Sequence, residues 1–343
     1  MKIEIYSPTI KRKEMDAVLT AMVEDKIGPG EQARSLIQLA KEYLGFECCL
    51  ALRSPAIALF FALRSLGLEP DQGVVISALS PGYYVKVLED LRLRPVYADV
   101  GTSSACVDRA TLDAALSGGD SVPRCIVIHH TLGYVPDMAS IVQIGLPVIE
   151  DISQSYGTVL KESKPGSFGV FTILGLEERD MLTAGGGALL YSVHRRDGAV
   201  LKNLGELPPE YGLPDMNAAM AAVQFREGLK NLEKRKEIAQ VYVQSSLRTR
   251  HKRFIQQDDV EYNNYAFPLI LETGMKDVKA YAKRKEIEVE SAFDATVMGV
   301  GIVESKVCPE SYSLFLRTVL FPLYPRLRAA EIEKVAKLIA TLP

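Results

Sequence analysis

Hydrophobic residues along the chain follow two patterns that alternate, and this alternation predicts an α/β fold. Long segments carry apolar residues three and four positions apart, which is the spacing of an amphipathic helix, and short continuous apolar runs stand between them. The runs in the first half of the chain are residues 48–52, 74–78, 95–98, 125–129 and 147–150. Continuous apolar strands separated by crossover helices are typical of a mostly parallel sheet that is covered on both faces.

Start and stop signals delimit two helices near the N-terminus. The helical spacing that begins at Glu31 ends at Gly45, and glycine suits the residue after a helix because it adopts the left-handed conformation without strain. A second helix is predicted from Ser54, whose hydroxyl can cap it, with Pro55 at the first helical position and Gly67 at its end. These signals predict a helix, a strand and a helix in succession.

The pattern changes in the last third of the chain. Residues 217–243 predict one or two helices with a charged face, and strand-like runs follow at 265–271 and 286–290 on either side of a further helix. The chain then ends in an amphipathic helix. We therefore predict a large domain over residues 1–243 and a small α+β domain over residues 244–343.

Composition narrows the classes of function. The net charge is −3 over 343 residues, which does not favour a nucleic acid partner. No segment offers the ~20 consecutive apolar residues of a membrane helix, and the first residues lack the features of a secretory signal. The five cysteines show no metal-binding spacing, and an odd number argues against a disulfide framework. We expect a cytoplasmic protein with reduced thiols, no metal site and no membrane partner.

Several motifs in fixed order carry a resemblance to one enzyme family. The stretches IGPGEQARSLIQLAKEYLG, RPVYADV, IHHTLGYVPDM, VIEDISQSYGT and FPLYPRLRAAEIEKV follow one another as they do in the DegT/DnrJ/EryC1/StrS family. Its members are pyridoxal-phosphate aminotransferases and dehydratases that mostly act on nucleotide-linked keto-sugars. The resemblance implies a fold-type I aminotransferase fold, with a mostly parallel central sheet and a smaller C-terminal α+β domain. It also implies a dimer with active sites at the subunit interface.

The resemblance assigns cofactor contacts to the end of a predicted strand. Asp151 and Gln154 match the residues that contact the pyridine nitrogen and the ring hydroxyl, and a carboxylate at that nitrogen keeps it protonated. The alternative is that Asp151 only turns the chain after a buried strand. His130 also matches a family position. Because His129 and His130 are adjacent on a strand, they point to opposite faces, which argues against a joint metal site.

The Schiff-base lysine of the family has no counterpart. Counting back from the glycine turn places Arg179 at its position, whereas counting forward from the preceding glycine motif places Asp180 there. No lysine occurs between Pro165 and Leu201. An imine requires a neutral amine, and a guanidinium with a pKa above ~12 does not supply one. We therefore expect no catalytic residue of the lysine type.

The phosphate-binding positions also depart from the family pattern. The family's Ser-Gly-Thr is replaced by Ser54-Pro55-Ala56, in which proline lacks an N–H and alanine lacks a hydroxyl. A serine further along aligns with Gly175. Hydrogen bonds to a charged group contribute roughly 1.5–3 kcal/mol each, so the loss of three or four would remove about 4–12 kcal/mol of binding free energy.

Other family contacts are replaced as well. The aromatic residue over the cofactor ring aligns with Pro81, and Tyr83 or Tyr84 either substitutes for it or only packs in the loop. The asparagine that reaches across from the neighbouring subunit aligns near Leu213, and an arginine close to it aligns near Asp215.

These departures favour a pseudoenzyme that keeps the fold, binds no cofactor and acts by binding a partner or a ligand. The partner is a second copy of the chain or an active paralogue, and the ligand is a nucleotide-sugar. The alternative is an active nucleotide-sugar aminotransferase, or a sugar dehydratase of the pyridoxamine type in which histidine replaces the lysine. It would use pyridoxal phosphate or pyridoxamine phosphate.

Overall fold

The computed structural model describes residues 2–101, 104–118, 122–161, 163–204 and 207–343. Its strands are β1 (Cys48–Leu52), β2 (Gly73–Ser77), β3 (Arg94–Ala98), β4 (Pro123–His129), β5 (Val148–Asp151), β6 (Val159–Leu160), β7 (Phe171–Gly175), β8 (Ala188–Ser192), β9 (Val260–Glu261), β10 (Phe267–Ile270), β11 (Glu290–Ser291) and β12 (Thr318–Phe321). Its α-helices are α1 (Arg12–Val23), α2 (Glu31–Leu44), α3 (Pro55–Ser65), α4 (Tyr83–Asp90), α5 (Arg109–Ser117), α6 (Met138–Val142), α7 (Arg195–Lys202), α8 (Asp215–Ser246), α9 (Met275–Arg284), α10 (Pro309–Arg317) and α11 (Ala329–Ala340).

Seven strands form the central sheet, in the order β1-β8-β7-β5-β4-β2-β3. Neighbouring strands from β3 to β7 run parallel, and β8 is antiparallel to both β7 and β1. The predicted mostly parallel sheet is therefore confirmed. Because parallel strands end at the same edge, the carboxyl ends of β4, β5 and β7 lie side by side, and His129 pairs directly with Asp151.

The predicted boundaries of α2 and the predicted start of α3 are confirmed. Gly45 ends α2 with a φ of 70°, a conformation that glycine adopts without the steric cost of a side chain. Ser54 caps α3, since its Oγ accepts a hydrogen bond from the Ile57 N–H at 3.2 Å, and Pro55 occupies the first helical position. Ser54 and Pro55 in the sequence thus mark the start of α3.

A single 32-residue helix, α8, fills the segment for which one or two helices were predicted. Its first half packs beside the central sheet, where Ala218, Ala221 and Phe225 are buried. Its second half contributes Ile238 and Tyr242 to a separate core that is shared with β10, β12 and α11. The helix thus joins two hydrophobic cores, and the division of the chain at residues 243 and 244 stays a prediction.

The smaller sheet differs from the sequence-based prediction. Its order is β10-β12-β11. The sequence pattern missed its central strand, Thr318–Phe321, because α10 runs directly into it without a turn signal. The predicted strand at 286–290 was wrong in its bounds: β11 covers only Glu290–Ser291, and Ile287 instead forms an isolated bridge to Ile3. Within the described ranges, no helix is both long and apolar enough to cross a membrane.

Asp215 connects α8 to α2. Its carboxylate accepts hydrogen bonds from the backbone N–H groups of Gly30, Gln32 and Ala33, at 2.9, 3.1 and 2.9 Å. The side chain is 2% exposed. These N–H groups at the start of α2 have no partner within the helix, so the carboxylate supplies the missing acceptor. Its negative charge also interacts favourably with the positive end of the helix dipole.

We predict that Asp215→Ala lowers the free energy of unfolding by about 3 kcal/mol, because one buried and two partly buried N–H groups lose a charged acceptor. Urea denaturation followed by circular dichroism measures the change. Asp113→Ala is the matched control: Asp113 forms a surface ion pair with Arg109, its side chain is 51% exposed, and its loss should cost less than about 1 kcal/mol. Equal losses in the two variants would contradict the role of Asp215.

Candidate functional site

The carboxylate of Asp151 lies at the end of β5 and is supplied with hydrogen-bond donors by this chain. Asp151 is 1% exposed. Its Oδ2 accepts a hydrogen bond from the Tyr84 hydroxyl at 2.5 Å. Its Oδ1 accepts hydrogen bonds from the Ser153 N–H at 3.0 Å and from the Ser153 hydroxyl at 2.5 Å. Both carboxylate oxygens of the predicted pyridine-binding residue therefore already accept hydrogen bonds. The bond from the Ser153 N–H to Oδ1 also stabilises the turn that follows β5.

Tyr84 reaches Asp151 from the start of α4 and is fully buried. Its ring packs edge-on against Tyr83, with 5.0 Å between the ring centroids. Burial raises the pKa of both phenols well above the usual range, so both are neutral donors. The preceding loop is fixed to the distant segment around residue 296, because Gly82 donates its N–H to the Ala295 carbonyl at 2.9 Å. The tyrosine that contacts Asp151 is therefore Tyr84, whereas Tyr83 lies beside it.

Arg179 and Asp180, the two residues predicted for the lysine position, point in different directions. The Arg179 guanidinium forms an ion pair with Glu290 at 2.7 Å and lies 5.5 Å from the centre of the Tyr6 ring, so it turns towards β11. Asp180 instead turns back towards the end of β7, where its Oδ2 accepts a hydrogen bond from the Glu177 N–H at 2.8 Å. Asp180 is the residue that faces the site.

Gly175, at the end of β7, leaves the space that the Asp180 carboxylate fills. A β-carbon at position 175 would lie 2.2 Å from Asp180 Oδ2 and 2.7 Å from Ser153 Oγ. The Gly175 N–H also donates to Ser153 Oγ at 2.8 Å. A serine here, as in the family pattern, would clash with Asp180. The glycine and the aspartate therefore form a matched pair, and the sequence patterns did not identify this relation.

Asp180 is a half-buried acid. Burial raises the pKa of its carboxyl to about 8, and the negative charges of Asp151 and Glu177 add to the rise, whereas the Glu177 N–H opposes it. At neutral pH the Asp180 carboxyl is thus mostly protonated. It can both hold and release a proton close to physiological pH.

The phosphate side is formed by the start of α3. The Ser54 hydroxyl is engaged as the helix cap. Pro55 offers no N–H, and Ala56 offers only its backbone N–H, which has no partner within the helix. This end of the site therefore keeps a helix dipole and few donors.

Gln154 and His130 act in the structure of the neighbouring loop. Gln154 Oε1 accepts a hydrogen bond from the Leu132 N–H at 2.7 Å, which holds a residue with a φ of 56°. His130 is fully buried, and its Nδ1 lies 2.7 Å from Ser155 Oγ. Its Nε2 lies 3.6 Å from Glu150 Oε2.

The structure does not place His130 beside Asp151. Glu150 and Asp151 are adjacent on β5, so their side chains point to opposite faces of the sheet, and His130 lies on the Glu150 side. The histidine that shares the Asp151 face is His129, which pairs with it across the two strands. Burial lowers the pKa of His130 to about 3 and also lowers that of His129. Both are neutral at pH 7, and within the described ranges no group of three or more candidate metal ligands exists.

The two positions aligned with the cross-subunit contacts are used within this chain. Leu213 is 1% exposed. A β-carbon at Gly187, in the glycine turn, would lie 2.4 Å from its Cδ1. Asp215 is engaged in binding the start of α2. Neither side chain is free to reach a neighbouring subunit.

Comparison with known proteins decides the family. The family model described as the DegT/DnrJ/EryC1/StrS aminotransferase family matches residues 8–340. The chain belongs to this family.

Relatives in the family share the full length at low identity. The dTDP-4-dehydro-2,3,6-trideoxy-D-glucose 4-aminotransferase of Saccharopolyspora spinosa is 22% identical, over 97% of this chain and 95% of its own length. The crystal structure of the aminotransferase TlmJ from Streptoalloteichus hindustanus superimposes with a TM-score of 0.89 at 17% identity, and 98% of each chain is covered. The E. coli GDP-4-keto-6-deoxy-D-mannose-3-dehydratase with bound hydrated PLP gives 0.86 at 13% identity and covers 99% of each chain. The fold-type I aminotransferase fold is thus confirmed.

The expectation that no cofactor is involved was wrong. The family is one of pyridoxal-phosphate-dependent aminotransferases, and a solved neighbour of the same fold contains the bound cofactor. The expectation had extended the loss of individual contacts to the loss of the cofactor itself. The contacts bear on a narrower point, which is how this chain would hold the group.

The residues around Asp151 do not fit a lysine-linked cofactor held in the family's manner. Neither Arg179 nor Asp180, the two residues counted to the lysine position, carries a neutral amine, and Asp151 Oδ2 is already bonded to the Tyr84 hydroxyl. A pyridine nitrogen that approached Asp151 would compete with that hydroxyl. On the phosphate side, Ala56 and Gly175 lack the side-chain hydroxyl groups that the family pattern has at these positions.

Tyr84→Phe tests the hydrogen bond to Asp151. Removal of the hydroxyl leaves a buried carboxylate with one donor fewer, and we expect the free energy of unfolding to fall by about 1–3 kcal/mol. Urea denaturation measures the loss. Tyr211→Phe is the control, because Tyr211 is 40% exposed and its hydroxyl has no hydrogen-bond partner among the described residues. A loss confined to Tyr84→Phe supports the assignment, and equal values would refute it.

The raised pKa of Asp180 leads us to predict that the stability of the protein depends on pH. A free aspartate titrates near ~3.9, so between about pH 4 and 8 the folded chain holds one more proton than the unfolded chain. The contribution of Asp180 to stability is thus complete below the unfolded pKa. It falls by about 1.4 kcal/mol per pH unit as the pH rises through this window, and levels off above the folded pKa.

Asp180→Asn should remove this contribution to the slope. Urea unfolding at intervals between about pH 5 and 9 measures it as the difference between the variant and the original chain, in which all other titrating groups cancel. We expect the relative stability of Asp180→Asn to increase with pH up to about pH 8 and then to level off. Asp113→Asn, at an exposed position, should track the original chain. Parallel curves for Asp180→Asn and the original chain would exclude a raised pKa.

Proposed function

We propose that this member of the DegT/DnrJ/EryC1/StrS family is a sugar-aminotransferase-like pseudoenzyme, which has lost lysine-imine chemistry and acts by binding a partner or a ligand. The observation that carries the proposal is Asp180, which turns into the site at the lysine position. No lysine lies between Pro165 and Leu201. A carboxyl group cannot form an imine, so this position offers no amine for a lysine-type link to the cofactor.

The network around Asp151 supports the same proposal. Tyr84 and Ser153 supply three hydrogen bonds to its carboxylate. Gly175 leaves room for Asp180 and would be sterically incompatible with it as a serine. The departures from the family pattern are thus compatible with one another, which is expected of a site that has been remodelled rather than damaged at one position.

The partner in this proposal is a second copy of the chain or an active paralogue, and the ligand is a nucleotide-sugar. Leu213 and Asp215 are committed to contacts within their own chain. In a mixed dimer, these two residues of this chain would therefore make no family-type contact with the active subunit.

A second candidate is an active enzyme on a nucleotide-sugar, and the relatives favour it. Two proteins that match this chain over almost its full length are an aminotransferase and a dehydratase. The observation in this chain is the raised pKa of Asp180, about 8. A carboxyl group with this pKa is suited to acid and base work near neutral pH, at the position where pyridoxamine-type dehydratases of the family have histidine.

The test begins with an absorbance titration of the purified protein with pyridoxal phosphate, then borohydride reduction and peptide mass analysis. We expect no lysyl adduct, because the family position lacks an amine. A parallel assay supplies pyridoxamine phosphate, a dTDP-linked 4-keto-sugar and L-glutamate, and follows the sugar by mass spectrometry. The pseudoenzyme proposal expects unchanged sugar.

The controls separate the two candidates. A reduced lysyl adduct accompanied by an amino-sugar product would overturn the pseudoenzyme proposal. Sugar conversion without an adduct would support the second candidate if Asp180→Asn abolishes it and Asp113→Asn does not. Conversion that survives Asp180→Asn would refute both assignments to Asp180.

A further inference from the structure

A cavity of about 520 Å³ lies away from the strand ends, between the second half of α8 and residues 253–268. This volume is within the range of small-molecule sites. Asp151, Asp180 and Tyr84 do not line it. The cavity is therefore distinct from the candidate site at the strand ends, and its capacity to bind a ligand is independent of the proposed function.

One wall of the cavity is aromatic. The ring centroids of Tyr134 and Phe254 are 5.4 Å apart, and those of Tyr134 and Tyr262 are 5.2 Å apart, so three rings form a continuous surface. Burial raises the pKa of Tyr134 and of Tyr262, which keeps both phenols neutral. The wall is held in place by Asn263, which donates to the backbone carbonyls of residues 154 and 156.

Solvent-exposed carboxamides also line the cavity. Gln240 and Gln244 are one helical turn apart on α8, so they project in the same direction, and Gln256 contributes a third amide. Their side chains make no hydrogen bond within the part of the chain that the structure describes. A carboxamide both donates and accepts, as a sugar hydroxyl does, so these groups are matched to a polyhydroxylated ligand.

The cavity also holds one positive charge without a counter-charge. Lys236, at the edge, is paired with Glu261. Arg253 has no carboxylate partner among the described residues, and it lies close enough to Tyr134 to oppose the rise in the pKa of that phenol. Its planar guanidinium matches the geometry of a carboxylate or a phosphate.

We propose that this cavity binds a monosaccharide that carries one anionic group, either a carboxylate or a phosphate. The C–H face of the sugar packs on the aromatic wall, its hydroxyls meet the carboxamides, and its anionic group meets Arg253. A free anion would leave the rings and the amides without partners. A hydrocarbon would leave the amides and the guanidinium unmatched.

The test is calorimetric titration of the full chain at low ionic strength with four probes: glucose 1-phosphate, glucuronic acid, glucose and inorganic phosphate. We expect the two anionic sugars to bind at least about tenfold more tightly than glucose or phosphate, since only they satisfy both the charge and the carboxamides. Arg253→Gln should weaken both anionic sugars by about tenfold or more.

Matched variants separate the cavity from general charge effects. Arg250→Gln removes the same charge from the same segment, but Arg250 does not line the cavity, so it should leave the affinities unchanged. Tyr262→Leu removes one ring, and we expect about tenfold weaker binding of both sugars with a retained circular dichroism spectrum.

Three results would overturn the proposal. The first is no binding of either anionic sugar up to roughly 10 mM. The second is equal affinity for glucose 1-phosphate and inorganic phosphate, which would indicate an anion site without sugar recognition. The third is an equal effect of Arg250→Gln and Arg253→Gln, which would indicate attraction by the surface as a whole.

Discussion

A buried carboxylate must receive hydrogen-bond donors or a proton, and this constraint shapes the edge of the sheet on which the candidate site is built. An unpaired buried charge costs several kcal/mol of folding free energy, so the surrounding residues must supply donors or keep the group protonated. The chain meets the constraint in two ways. Asp151 remains supplied with donors through Tyr84 and Ser153. Asp180 is kept mostly protonated, because burial raises its pKa to about 8.

The residues that depart from the family pattern depend on one another. Asp180 fits only because position 175 is glycine, and the fixed loop before α4 brings Tyr84 to Asp151. The Asp215 carboxylate accepts hydrogen bonds from three backbone N–H groups at the start of α2. Restoring one family residue would therefore break a contact that stabilises the present structure. A lysine introduced at position 180 alone would leave the Asp151 carboxylate bonded to the Tyr84 hydroxyl.

Local sequence signals predicted much of the fold. The short apolar runs identified β1 to β5 to within two residues, because strands covered by helices on both faces read as continuous apolar runs. The capping residues fixed α2 and α3. What the sequence did not indicate was decided by distant contacts. The strand β12 follows α10 without a turn residue, and Tyr84 is positioned by a loop bonded to residue 295, more than 200 positions along the chain.

The site shows the same division between local and distant information. Counting along the chain reduced the lysine position to Arg179 or Asp180 but could not choose between them, since the intervening loop is one residue shorter than in the family pattern. Packing shows which of the two side chains turns into the site. Arg179 has an acidic partner in Glu290 outside the site, whereas Asp180 accepts a hydrogen bond from the Glu177 N–H and fills the space above Gly175. A guanidinium turned inward would lose its partner, and a carboxylate turned outward would leave a void. The direction of each side chain is thus set by the group that compensates it, and sequence spacing carries no record of that group.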